Sequence, residues 1–163
     1  MEYEKLLSEL EKQGIDVIEM NLKGKAKGYY CDDTIVIDSK IETKAQKKST
    51  LIEEVGHVKT SSGNILDDKD IKNVKQEKMA RRWGYEYIIG LTDLINAFNA
   101  GVHGRYELAE YLNVTEQFLQ ETIDYYKEKY GTYYELDKYY ICFSPCLSII
   151  EKNNLKWLYD PCE

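Results

Sequence analysis

Three side chains in the run Leu51-Ile52-Glu53-Glu54-Val55-Gly56-His57-Val58 are of types that hold metals or move protons: Glu53, Glu54 and His57. On a helix Glu53 and His57 fall four residues apart and share a face, with Glu54 one step round. This is the spacing of the H-E-x-x-H helix, whose outer pair holds a metal and whose inner glutamate acts on a water activated by it. Here the first outer position is Glu53 instead of histidine. A carboxylate oxygen and an imidazole nitrogen both bind zinc, so a donor pair is kept. The same residues also suit a solvated helix face with two acids and one histidine, and the run alone leaves both readings open.

The flanks add to it. A hydrophobic-E-E-hydrophobic-G-H core is followed by the polar Thr60-Ser61-Ser62-Gly63-Asn64-Ile65 and later by Glu77-Lys78-Met79-Ala80-Arg81. Together these resemble the ImmA/IrrE family of zincin-like metallopeptidases, from about Ile15 to Tyr111 and more loosely to the C-terminus. The look is closest to the phage and mobile-element branch, where E-E-x-G-H stands in place of H-E-x-x-H. The resemblance implies a third ligand in an E-x-x-A motif on the next helix, which Glu77 and Ala80 match. It therefore implies a Zn2+-dependent endopeptidase with Glu53, His57 and Glu77 on the metal and Glu54 as the catalytic base. The implied fold is α+β and zincin-like, a small antiparallel sheet with a metal-binding helix and a helical C-terminal part. The implied substrate is a helix-turn-helix repressor, cut by an antirepressor. A second reading is a catalytically weak or inactive zincin-like protein that binds and sequesters the repressor. For Glu77 the plainer alternative is an ion pair with Arg81 at i+4, worth only about 0.3–0.5 kcal/mol when exposed.

The donor set has a consequence for charge. Two carboxylates, a neutral imidazole and a divalent ion sum to zero, where a His-His-Glu set leaves one positive charge. A less positive site is a weaker Lewis acid, and it admits a harder ion such as Mn2+ beside Zn2+.

Other elements must position these groups. Tyr3 to Gln13 carries Tyr3, Leu6, Leu7 and Leu10 on one helical stripe, and Gly14 ends it. Ile15 to Met20 reads as a strand, and Lys23 to Gly28 as a basic, glycine-punctuated turn. Gly28-Tyr29-Tyr30-Cys31, a turn at Asp32-Asp33 and Thr34 to Asp38 read as a hairpin. Thr43 and Gln46 have the pattern of a capping box, so the metal helix starts there, with Leu51, Ile52, Val55 and Val58 inward. After a polar connection over Ser61 to Asp70, a helix from about Asp70 to Tyr87 turns Ile71, Val74, Ala80, Trp83 and Tyr87 inward. Thr92 caps a helix over Asp93 to Ala100, closed by Gly101.

Tyr106 to Leu112, the turn Asn113-Val114-Thr115 and Glu116 to Tyr130 follow as helix, turn and helix. Ala109, Leu112, Val114 and Leu119 have the core spacing of a DNA-reading helix-turn-helix. The would-be reading helix, however, carries Glu116, Glu121, Asp124 and Glu128, which repel phosphate. It reads as a scaffold pair. Leu136 to Ile150 reads as β, interrupted at Pro145, and Trp157-Leu158-Tyr159 either packs or frays.

At 163 residues the size suits a single domain over 1–163, with a helical subregion about 91–130. A net charge of −7 and a pI near 5.0 oppose direct nucleic-acid binding. No apolar run approaches the roughly 20 residues of a membrane span and no signal peptide is evident, so a cytoplasmic protein is expected. There Cys31, Cys142, Cys146 and Cys162 stay reduced, and no C-x-x-C pair accompanies Cys142 and Cys146 to complete a zinc site. His103 lies off the motif, in a glycine-flanked loop. Most of the 15 tyrosines are read as structural.

Overall fold

The first unit of the chain is built on the hairpin that the sequence marks. Asp32 and Asp33 turn the chain with φ of 46° and 58°, the paired left-handed conformation of a two-residue hairpin turn that Asp tolerates. They join β2 (Gly28–Cys31) to β3 (Thr34–Asp38), with Tyr30 opposite Ile35. The computed structural model describes residues 2–60 and 71–154. The connection over residues 61–70, the segment Trp157-Leu158-Tyr159 and Cys162 lie outside the described residues. The chain divides into two units, Met1–Ile88 with Asn113–Thr115, and Ile89–Leu112 with Glu116–Glu163.

In the first unit α1 (Tyr3–Lys12) leads into β1 (Asp16–Met20). The strand order is β1-β3-β2, and β1 pairs with β3 in parallel, Val17 opposite Ile35. This corrects the small antiparallel sheet expected from the sequence: the sheet is mixed. The chain leaves β1, enters β2 at the far edge and returns through β3 between them, so β3 runs in the direction of β1. Local alternation fixes which residues face in, but it carries no information on strand order. Ile35 and Ile37 are fully buried on the covered face.

Two helices complete the unit, α2 (Lys44–Thr60) and α3 (Ile71–Ile88). α2 packs on α1, on β2 and β3, and on α3. Of its expected inward stripe Leu51, Ile52 and Val55 are buried while Val58 is half-buried, and the buried Lys48, which the pattern did not mark, joins them. Lys48 Nζ donates to the Asn113 carbonyl at 3.1 Å, so this amine is buried with a partner. Among the described side chains of α3 the buried face is Ala80, as expected, with Gly84, Tyr85 and Ile88; the side chains of Ile71 and Val74, also expected inward, lie outside the described residues. Trp83 and Tyr87, expected inward, form a half-buried flank stacked at 4.7 Å, because the small Ala80 and Gly84 draw the helix in on their own side.

α1, β1 and α2 are tied by Glu19. Its Oε1 accepts from Tyr3 Oη at 3.0 Å and its Oε2 from Lys47 Nζ at 2.6 Å. Lys47 above all, with Tyr3, holds the Glu19 carboxyl below the usual range against an opposing effect of burial. A depressed folded pKa stabilises above the unfolded value, and that contribution is lost as pH falls through the folded value. Glu19→Gln is therefore expected to lower thermal stability at pH 7, by less than about 1 kcal/mol given the exposure of the pair. The difference from wild type should close in acid. Melting curves across pH check it, and a deficit that persists in acid would assign the loss to packing.

The second unit holds α4 (Leu91–Asn99), α5 (Gly104–Leu112) and α6 (Glu116–Tyr130). The cap of α4 is Gly90, not Thr92: the Asp93 carboxylate accepts from the Gly90 amide at 2.8 Å, which starts the helix two residues earlier. Ala109, Leu112 and Leu119 are buried, as the helix-turn-helix spacing implied. The helical part ends at Tyr130. β4 (Tyr133–Leu136), β5 (Tyr139–Cys142) and β6 (Ser148–Glu151) then form an antiparallel meander, with Pro145 between β5 and β6. Tyr126, Tyr130, Tyr134 and Phe143 stack within this unit, and Tyr126 Oη donates to the Ile89 carbonyl, which gives these tyrosines a structural role. No helix among the described residues is long and apolar enough to cross a membrane.

Candidate metal and peptidase site

α2 starts where the chain marks it. Thr43 Oγ1 accepts from the Gln46 amide at 3.2 Å, so the hydroxyl satisfies one of the orphan donors of the first turn. Burial of Leu51, Ile52 and Val55 then fixes the rotation of the helix. Glu53, Glu54 and His57 are left half-buried on its flank.

What brings α3 to that flank is the absence of a side chain. A Cβ at Gly56 would lie 2.5 Å from the Ala80 carbonyl oxygen and 2.9 Å from its carbon, so the two helix backbones touch there. Ala80 is itself fully buried. This gives the small residues of G-H and E-x-x-A a physical meaning: one is the other's contact. Next to the crossing, His57 Nε2 lies 3.3 Å from Glu77 Oε2. The other oxygen of Glu77 accepts from Arg81 Nε at 3.2 Å. The sequence offered metal ligation or the Arg81 ion pair for Glu77, and its carboxylate is oriented by His57 and Arg81 at once.

Glu54 lies near enough to this pair to feel its charges. Burial pushes its carboxyl above the ordinary range; His57 opposes the shift, while Glu53 and Glu77 add to it. Its neighbour in space is the start of β2. A Cβ on Gly28 would meet Glu54 Cγ and Oε1 at 3.0 Å, a tight contact, so the edge strand runs close against the acid. Sequence reasoning placed Gly28 in the hairpin and gave it no role at the site. A glycine at the start of a strand was the signal for a close approach. His103 is exposed in the second unit, with its amide donating to Glu107 Oε2 at 2.9 Å. Among the described residues Cys31, Cys142 and Cys146 are not joined in disulfides.

A family model described as the IrrE N-terminal-like domain, Peptidase_M78, matches residues 10–124. The chain belongs to this family. The match spans α2 and α3 and so takes in Glu53, Glu54, His57 and Glu77. Membership sets this IrrE-like chain among peptidases of metallopeptidase-like function. No curated protein and no solved structure gives a significant match.

The residues present suit the metal that such a family implies. Carboxylate and imidazole donors are what zinc takes, and His57 and Glu77 already meet across two helices. Among the described residues no three His, Cys, Asp or Glu side chains stand together at metal-holding geometry. In this IrrE-like domain Arg81 takes one oxygen of Glu77 instead.

Proposed function

We propose that this chain is a zinc-dependent endopeptidase, a single zincin-like domain over 1–163 with its helical subregion about 91–130. Glu53, His57 and Glu77 hold Zn2+, with Mn2+ tolerated, and Glu54 is the general base. The observation that supports this most is the meeting of His57 and Glu77 across the Gly56–Ala80 crossing, with the half-buried Glu54 beside them. When bound, the ion supplies Lewis acidity toward water and toward the scissile carbonyl. Glu54 takes a proton from the attacking water and passes it to the departing amine. A carboxyl raised above its ordinary range is nearer the working pH and suits both transfers.

The substrate is the one the family resemblance implies, and geometry and charge are compatible with it. β2 is an edge strand, its first residue against Glu54, and Tyr29 and Tyr30 on it are exposed. An extended segment adding to that edge has its backbone fixed by hydrogen bonds and its scissile bond near the acid. A net charge of −7 attracts a basic DNA-binding protein. A helix-turn-helix repressor is both basic and, by the resemblance, the substrate of this branch, so the protein acts as an antirepressor in the cytoplasm without touching nucleic acid itself. The hold of Arg81 on Glu77 favours a second reading, a weak or inactive protein that binds and sequesters the repressor.

Co-expression with the repressor, followed on a gel and by co-purification, tests both. Cleavage that stops with a chelator or with His57→Ala is expected. A bound, uncut repressor leaves sequestration standing. A repressor neither cut nor bound removes both readings.

A further inference from the structure

The Arg81 guanidinium sits beside the very carboxylate that the proposed site needs. Its Nε is 3.2 Å from Glu77 Oε1, while His57 Nε2 holds Oε2 at 3.3 Å. The i, i+4 spacing on α3 makes this reach natural, and Arg81 is 45% exposed in its side chain, so the guanidinium can move away. Glu53 acts on it as well. Burial works against the charge of Arg81, but the Glu53 and Glu77 carboxylates outweigh it and hold the group more firmly protonated.

The charge balance gives this arrangement a purpose. Three carboxylates, Glu53, Glu54 and Glu77, lie close enough to influence one another's or Arg81's ionisation. Without a cation such a group repels itself, and the His57 contact has to hold Glu77 against that repulsion. With a divalent ion, Glu53 in place of a histidine leaves the site one positive charge short of a His-His-Glu centre. A single arginine answers both conditions.

We propose that Arg81 is the built-in counter-cation of this site: it holds Glu77 against His57 when no metal is bound, and a metal must displace it from Glu77 to bind. The inference rests on the metal-site reading above. It makes Arg81 a positioning residue that sets how readily the chain loads.

The test is zinc affinity of the full chain, by competition with a chromophoric chelator, together with melting of the metal-free protein. Arg81→Gln removes both the competitor for Glu77 and a positive charge beside the ion, so it should bind zinc about tenfold more tightly. The metal-free Gln variant should melt below wild type, and saturating zinc should close that gap. Arg81→Lys keeps the charge and should stay within about threefold of wild type, which also covers the case in which the Gln variant fails to fold. Wild type that binds zinc with a Gln variant no tighter overturns this inference and leaves the metal site intact. A Lys variant as tight as the Gln variant also overturns it, since charge is then not the cause. Zinc bound by none of the three overturns this inference and the metal site together.

Discussion

Replacing Glu54 with Gln is expected to reduce proteolysis by about 10²–10⁴ while leaving zinc uptake unchanged, the share usual for a general base. The amide keeps the size and much of the hydrogen bonding of the carboxyl, but it cannot take a proton from water. The half-buried position of Glu54 gives a second readout. Its carboxyl is raised in the folded chain, chiefly by burial, so the fold pays for ionising it. A folded pKa above the unfolded one means a loss of stability that is full above the folded value and absent below the unfolded value. The Gln variant should therefore melt at or above wild type at neutral pH, with the advantage fading as pH falls through the carboxyl range. His57→Ala should differ on every count, losing zinc and cleavage together. Cleavage by the Gln variant at the wild-type rate would make Glu54 a bystander and end the mechanism proposed above.

The chemistry was more legible in the sequence than the architecture that serves it. Glu53, Glu54 and His57 declare themselves by helical spacing, and the hairpin by its Asp-Asp turn, because both signals are local. The boundaries of α6 at Glu116 and Tyr130 and the start of α2 after Thr43 were equally readable, since caps and turns act over three or four residues. The parallel pairing of β1 with β3 was not, because strand order is decided by what the sheet packs on. The inner face of α3 was read only in part. Ala80 is inward as the pattern implied, but Trp83 and Tyr87, the more apolar choice, give way to Gly84, because small residues let the helix approach α2. Glu77 was found through the family resemblance and not through spacing; its pairing with Arg81 was readable from the i, i+4 spacing, while its approach to His57 across two helices was not. Gly28 shows the same limit from the other side: a glycine in a loop-strand junction has many ordinary reasons, and only the position of Glu54 selects one.

Gly56→Ala is the substitution from which the largest structural effect is expected. Judged on α2 alone, alanine should help, by about 1 kcal/mol of helix propensity. Across the crossing, its Cβ would stand 2.5 Å from the Ala80 oxygen and 2.9 Å from the Ala80 carbonyl carbon. Those are backbone atoms of a helix, so no side chain can swing aside, and the helices must part. Overpacking of this kind costs about 1–3 kcal/mol, and the backbone contact puts the expected value at the upper end, beyond the gain in propensity. Melting should fall by roughly 2–4 °C per kcal/mol of net loss for a chain of this size. The same parting draws His57 away from Glu77, so zinc affinity should fall with stability, which a substitution elsewhere in the core would not do. Ala80→Gly should give no rescue, because the atom in the way is the Ala80 carbonyl oxygen and not its methyl group. A Gly56→Ala variant that melts with wild type and binds zinc as well would show that α2 and α3 have room at the crossing, and the account of how Glu77 reaches His57 would fail with it.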